Sequence, residues 1–347
     1  MSESAEANSA ILDFLEEQGL VGLRRHGGRR GEVTLTRLTG GVSSDLCLVE
    51  LDDQAVCVKR SLERLLVETE WTAPVERNAN EWEWIRYASS ILPDAAPTPL
   101  AHDALRQMFA MSYLAPTSHT VWKSEMLRGR ISLSTAEATG HLIGELHSRS
   151  AGSEDLKRIF DTTPSFEALR IEPYFTHTGA KNPAFADYIT MVAEQTLQTR
   201  KVLVHGDVSP KNILVGPKGP VLLDAECAWY GDPAFDVAFC LNHLALKSYA
   251  VGQADSLRHA AMALWNAYLS HADWESADGL DARVARLLPI LMLARVDGRS
   301  PVEYLSSKDL RDAVRNRAHD LLDRKPGRTE AVIEQSLVSR THIPSSN

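Results

Sequence analysis

The sequence predicts an α+β protein of two lobes, mostly strand first and mostly helix after. Three observations predict it. Short segments between residues 32 and 60 alternate apolar and polar side chains with a period of two, the composition turns helical beyond about residue 115, and one strand–turn–strand unit lies within the helical part at 202–224. With 347 residues and 44% hydrophobic side chains, the chain can bury more than one core.

In chain order, "ILDFLEEQGL" reads as a short helix, and "EVTLTRL", "DLCLVEL" and "AVCVKR" read as the strands of a small antiparallel meander with Gly-rich or Asp-rich turns. "PVERNANEWEWIRYASSIL" (74–92) has helical length, with Pro74 near its start, and stops at the Pro-rich "PDAAPTP". That helix is expected to pack on the meander. "QMFAMSYL" (107–114) is an apolar run of strand length, and the lobe boundary is expected near Ala115, giving lobes of 1–114 and 115–347. "STAEATGHLIGELHSRS" opens on an expected capping box, Ser134 to Glu137, and stacks Leu142, Ile143 and Leu146 on one face. "PAFADYITMVAEQTLQTR" is a further helix, and others are expected at about 233–249, 253–271, 281–297, 307–323 and 328–340.

Charge and cysteine usage exclude several functions. The formal net charge is −9 with no Lys/Arg-rich run, which disfavours nucleic acid or an anionic membrane as partner. Cys47, Cys57, Cys227 and Cys240 form no CxxC pair and no zinc spacing, as expected of reduced thiols in a cytoplasmic protein. The polar opening "MSESAEANSA" is unlike a secretory signal, and the apolar run "LLPILMLA" is far too short to span a bilayer.

The chemistry concentrates in "VLVHGDVSPKNILVGPKGPVLLD" (202–224), which parses as a strand, a polar loop, a hairpin turning at "GPKG", and a strand ending on Asp224. Asp207, Asn212 and Asp224 are expected at one rim of a small sheet. Two carboxylates and a carboxamide so placed suit Mg²⁺, which takes few protein oxygens and shares phosphate oxygens, and one carboxylate remains to accept a proton. His205, Asp207 and Asn212 also carry the His-x-Asp-x-x-x-x-Asn spacing of kinase catalytic loops, with Asp224 after the next hairpin.

On these residues, and on "LLDAECAWYGDPAFDVA" after them, the chain resembles the aminoglycoside phosphotransferase superfamily, which includes choline, methylthioribose and fructosamine kinases, over roughly residues 33 to 300. The resemblance implies a bilobal, protein-kinase-like fold with a β-rich N-lobe, a helical C-lobe and ATP in the cleft. It implies transfer of the γ-phosphoryl group, with Mg²⁺, to a hydroxyl of a small sugar-like metabolite or aminoglycoside-type antibiotic. Asp207 would be the catalytic base, and Asn212 and Asp224 the metal ligands. Lys59 would meet the α/β-phosphates with Glu81 as its helix partner and Glu83 as second choice. Backbone near Ser112, Tyr113 and Leu114 would meet the adenine. "LTGGVSSDLCLV" lacks G-x-G-x-x-G, yet Gly40, Gly41, Ser43 and Ser44 offer N–H groups and hydroxyls to phosphate. The segment Asp224-Ala225-Glu226 leads so soon to the helix at Asp236 that no long activation loop fits, which favours a small-molecule kinase over a protein kinase. Intact Asp207, Asn212, Asp224 and Lys59 argue against a nucleotide-binding scaffold.

Several residues carry a second reading. Lys59 also fits an ordinary edge-strand lysine. His205 is expected to orient the loop rather than react. Asp236 fits a helix-start charge favoured by the dipole, whereas the resemblance would have it brace the loop. Glu226 is either an auxiliary site group, to metal or acceptor, or a solvated side chain. Arg295, Asp297 and Arg299 are candidate acceptor contacts, against a plain helix C-terminus as the alternative. His141 and His147 are expected in the core or on the surface, and Trp229, Trp265 and Trp274 in the core or in a pocket wall.

Overall fold

A computed structural model describes residues 3–20, 33–38, 44–51, 54–61 and 77–337. Gly40, Gly41, Ser43 and Pro74 lie outside the described residues. The chain divides into two compact units, Met1–Pro116 and Thr117–Asn347.

In the first unit, strands β1 (Val33–Arg37), β2 (Ser44–Leu51), β3 (Gln54–Ser61), β4 (Pro99–Asp103) and β5 (Met108–Ser112) form one antiparallel sheet in the order β1-β2-β3-β5-β4. The period of two sorts its faces. Cys47, Val49 and Leu51 of β2, Val56 and Val58 of β3, and Met108 and Ala110 of β5 pack with Ile11, Phe14 and Leu15 of α1 (Glu3–Glu17). The residues between them, among them Ser44, Cys57, Lys59 and Phe109, therefore point to the other face. There α2 (Arg77–Ile91) buries Arg77, Glu81, Trp84, Ile85 and Ala88 at helical spacing, with Trp82 5.9 Å from the Phe109 ring. Lys59 is thus on the central strand, not an edge. Strand β4, within "PLAHD", had no alternating signal because its run starts on a proline and includes a bulge.

The second unit is mostly helical, as the composition of its sequence implies. It contains β6 (Thr120–Val121), α3 (Trp122–Leu127), α4 (Leu133–Ser150), α5 (Glu154–Ile159), α6 (Thr163–Phe166), a π-helical stretch Glu167–Thr176, α7 (His177–Lys181) and α8 (Ala186–Gln198). Then follow β7 (Val202–Val204), β8 (Ile213–Gly216), β9 (Gly219–Leu222), β10 (Trp229–Gly231), α9 (Pro233–Val251), α10 (Ala254–Leu269), α11 (Ala277–Asp297), α12 (Lys308–Arg324) and α13 (Thr329–Ser336). The strands 202–224 do not share one sheet: β7 pairs with β10, while β8 pairs with β9 and β6. The cap of α4 is Ser132, whose hydroxyl accepts from Thr135 N–H, so the helix starts one residue before the expected box at Ser134. Helix α9 is buried on every side from Pro233 to Tyr249. Among the described residues no helix is long and apolar enough to cross a membrane.

Candidate active site

The loop after β7 is fastened from below by α9. Asp232 caps that helix by accepting from Ala234 N–H, and Pro233 occupies the first helical position, where its missing N–H costs nothing. This start places Asp236 under the loop, where its two carboxylate oxygens accept from His205 N–H at 2.7 Å and Gly206 N–H at 2.8 Å. His147 of α4 lies 3.2 Å from the same carboxylate. Burial alone would raise the Asp236 pKa, but the bonds and charge of His147 and His205 hold it below the ordinary carboxylate range. Asp236 therefore braces the loop and is not a simple helix-start charge. Gly206 adopts φ 77°, and a Cβ there would sit 2.4 Å from the Cys227 carbonyl oxygen, so the turn admits only glycine.

His205 orients the next residue. Burial holds its pKa below the usual imidazole value, and its Nδ1 accepts from Asp207 N–H at 3.2 Å. The Asp207 carboxylate is then gripped at one oxygen: Arg170 lies 3.0 Å and Lys211 3.2 Å from Oδ2. Arg170 comes from the π-helical stretch, is buried, and also donates to the Gly206 carbonyl, so one guanidinium ties the loop backbone to its acid. Among the described residues nothing donates to Oδ1 of Asp207. That oxygen keeps its lone pairs open.

Asn212 turns its side chain back on the loop, donating through Nδ2 to the Asp207 carbonyl at 3.2 Å, which leaves Oδ1 as the outward ligand atom. Its own carbonyl accepts from Leu223 N–H at 2.8 Å, bringing Asp224 alongside. Asp224 has φ 67°, a left-handed conformation that costs a non-glycine residue on the order of 1–3 kcal/mol and persists where surroundings impose it. A carboxylate oxygen of Asp224 and one of Glu226 lie within 4.8 Å of each other. Glu226 is buried, which rules out the solvated reading. Two close carboxylates beside an anchored carboxamide oxygen are a donor set that fits Mg²⁺.

In the first unit, Lys59 Nζ meets Glu81 Oε2 at 2.6 Å, with side chains only 8% and 2% exposed. Glu83 faces away and pairs with Arg86 at 3.0 Å on the surface. Ser44 is buried at the start of β2, on the same sheet face as Lys59. Ser112 spends its N–H and its hydroxyl on Thr98, so of the three residues expected near adenine only Tyr113 and Leu114, past the strand end, offer backbone donors to a ligand.

The late cluster separates. Arg295 is buried and lines a small cavity with Lys211. Asp297 and Arg299 do not reach that cavity. Asp297 accepts from Arg315 of α12 at 2.7 Å and from Asn182, while Arg299 pairs with Glu172 at the surface, because the helix ends at Gly298 and the chain turns away. Both are structural contacts. His147 belongs to the loop brace, and His141 lies 2.9 Å from His271. Trp229 is fully buried against Phe166.

With the loop, its brace and its acids in place, residues 34–280 match the phosphotransferase enzyme family. The chain belongs to this family. A methylthioribose kinase 2 from Oryza sativa subsp. japonica is 21% identical over 262 residues, covering 67% of this chain and 61% of the rice protein, so the chain matches about three fifths of that relative's length. An amicoumacin kinase solved with AMP-PNP, Ca²⁺ and Ami is 13% identical, with TM-score 0.57 over 95% of this chain and 98% of that one. An ethanolamine kinase from Plasmodium vivax is 14% identical, with TM-score 0.56 over 93% and 89%. These likenesses carry the fold, which is the protein-kinase-like fold that the sequence resemblance implied.

Family membership makes the missed residues more instructive. Arg170 sits 37 residues before Asp207 in a segment, "EALRIEPYFT", whose only sequence signal is a proline inside a helical pattern. Lys211 stood inside the motif, but its contact with Asp207 depends on a loop conformation that spacing alone does not specify.

Proposed function

We propose that the chain transfers the γ-phosphoryl group of ATP to a hydroxyl of a small molecule, with Asp207 as general base. The observation that carries this is the one-sided grip on Asp207, held at Oδ2 and open at Oδ1. In the step, the acceptor O–H gives its proton to Oδ1, its oxygen bonds to the γ-phosphorus, and the bond from that phosphorus to the β–γ bridging oxygen breaks to release ADP. Arg170, His205 and Asp236 position the base; catalysis is mostly orientation and charge neutralisation. Asn212 and Asp224, with Glu226 beside them, would hold Mg²⁺, which when bound neutralises phosphate charge. The first unit is read as nucleotide-binding, with the Lys59–Glu81 pair directed at phosphate, and the second as carrying the catalytic loop and acceptor pocket. The family, the methylthioribose kinase relative and the amicoumacin kinase bound to an ATP analogue support ATP as donor and a small acceptor. Only residues 225–231 separate Asp224 from the cap of α9, too few for the activation segment of a protein kinase. The four cysteines are buried and unpaired, which supports a reducing cytoplasm.

An ATP-consumption screen over sugars, amino sugars, antibiotics, choline, hydroxy acids and peptides tests the reading. At least one small acceptor is expected to be turned over, and Asp207→Asn to lower kcat by roughly 10²–10⁴-fold with nucleotide binding retained. Wild-type turnover in that variant, or phosphorylation of peptides alone, overturns it.

A further inference from the structure

Four cations converge on one cavity of the second unit. Lys123 of α3, Lys211 of the loop, Lys247 of α9 and Arg295 of α11 line it with His243, Val302 and Tyr304, and among the described residues Glu303 is the one carboxylate in its wall. Its volume of about 30 Å³ accommodates a water or two, or one small polar group. The charges do not balance. Lys123 pairs with Glu303, which is largely exposed, and Lys211 pairs with Asp207. Lys247 and Arg295 have no carboxylate within ion-pair distance among the described residues.

Lys247 is fully buried, and among the described residues its ammonium has only the His243 carbonyl at 3.4 Å and the face of Tyr304 at 4.8 Å. Arg295 donates from Nη1 to Tyr174 Oη at 2.8 Å and Ser300 Oγ at 3.0 Å, while its buried Nε has no acceptor among the described residues. A buried cation without a partner is costly, and on a helix as apolar as α9 a leucine or methionine would pack at less expense. Burial, with help from Lys123, pulls the Lys247 amine down to about 7, and burial with the surrounding cations keeps His243 neutral, well below its usual value. Lys211 departs the other way, its amine held above the usual lysine value by the Asp207 carboxylate, so the shortage of negative charge is at the Lys247 and Arg295 end of the cavity. Its wall includes Lys211, 3.2 Å from Asp207 Oδ2, so it lies one side chain from the assigned base.

We propose that this cavity binds an anionic group of the acceptor, a carboxylate or a phosphate, so that the substrate class is hydroxy acids or sugar phosphates. The inference rests on the reading of Asp207 as base. Lys247 and Arg295, which meet no carboxylate among the described residues, supply charge-assisted donors, Lys123 and Lys211 add field, and a hydroxyl on the same molecule reaches Asp207. The same field repels ammonium groups, which disfavours amino alcohols and aminoglycosides.

Matched acceptors test it: gluconate, glucose 6-phosphate, glucose and glucosamine, with glycerate, glycerol 3-phosphate, glycerol and choline, each assayed for ATP consumption. Turnover is expected only with anionic members, and the carboxylate and phosphate arms tell which anion is meant. Lys247→Met and Arg295→Met should each raise KM for the anionic acceptor roughly 10-fold or more with a smaller change in kcat, and Arg295→Lys should recover part of the loss. Equal or better turnover of neutral or cationic members, or an unchanged KM in Lys247→Met, overturns the proposal while leaving the kinase reading intact. If none of the eight is turned over, calorimetric titration with inorganic phosphate under saturating ADP decides: binding lost in Lys247→Met supports the cavity, and no binding to the wild type overturns it. Nucleotide turnover in Asp207→Asn reports on the base independently.

Discussion

Lys59 and Lys247 are both buried lysines on central elements of their units, yet they are treated in opposite ways. Lys59 is met at 2.6 Å by Glu81, a carboxylate as buried as itself. Lys247 is met by a carbonyl and an aromatic face. The fold thus completes one cation internally and leaves the other to be completed from outside. A buried pair holds a side chain in position for a ligand it will share, whereas an unmatched buried cation is itself the request for a ligand.

The largest effect that breaks this contrast is removal of the internal partner. Glu81→Gln removes the carboxylate charge that meets Lys59 at 2.6 Å, and the expected loss is about 3–5 kcal/mol of stability, the usual cost of breaking a buried pair from one side. Denaturant unfolding measures it, with Glu83→Gln as control, because Glu83 lies on the surface with Arg86 and should cost under about 1 kcal/mol. Equal effects of the two substitutions would mean that Lys59 is not held by Glu81.

A smaller effect is expected at the loop brace, where a carboxylate is again matched from within. Asp236→Asn keeps one acceptor oxygen and puts an NH₂ against a backbone N–H. The loss should be about 1.5–3 kcal/mol, the range for a hydrogen bond to a charged group, with kcat falling more than KM rises as the His205–Asp207 turn loosens. Thermal unfolding alongside steady-state kinetics checks both. A variant with native stability would show that Arg170 alone holds the loop.

How much of this was legible in the sequence depended on whether the information was local. His205, Asp207, Asn212 and Asp224 lie within twenty residues, and their spacing reports on one turn and one hairpin. Lys59 and Glu81 are named from the family resemblance, which leaves Glu83 as a second choice, and it takes the packing of the helix on the sheet to put Glu81 against Lys59 and Glu83 on the surface. Helix α4 was legible but its cap was not, since Ser132 and Ser134 both satisfy a capping pattern and only the helix start distinguishes them. Arg170, and the meeting of Lys123, Lys247 and Arg295, come from segments far apart in the chain. Their convergence is set by helix packing, which no single segment encodes. Asp297 and Arg299 show the converse: neighbours of Arg295 in sequence, they diverge from it in space once the helix ends.

The smallest effect has the opposite sign, and the sign is what sharpens the contrast. Lys247 titrates near 7 in the folded protein because of its burial, against about 10.4 for an unperturbed lysine. Below pH 7 folded and unfolded chains both carry the proton, and the wild type bears the full cost of the buried charge. Between about pH 7 and 10 the unfolded chain binds more protons than the folded one, so wild-type stability rises with pH as that cost is relieved. Methionine at 247 removes the cost at every pH. Lys247→Met should therefore stabilise the protein by about 1–2 kcal/mol at pH 6, the lower end of the range for replacing buried charges because the contact with Tyr304 is lost as well. The gain should shrink as pH approaches 10. An anionic acceptor should reduce it at pH 6 by binding the folded wild type more tightly than the variant. Thermal unfolding at pH 6 and pH 9.5, with and without the acceptor, reads all three. A residue retained for packing would instead give a Lys247→Met variant less stable than wild type at pH 6, and that result would place Lys247 with Lys59 among the internally satisfied cations.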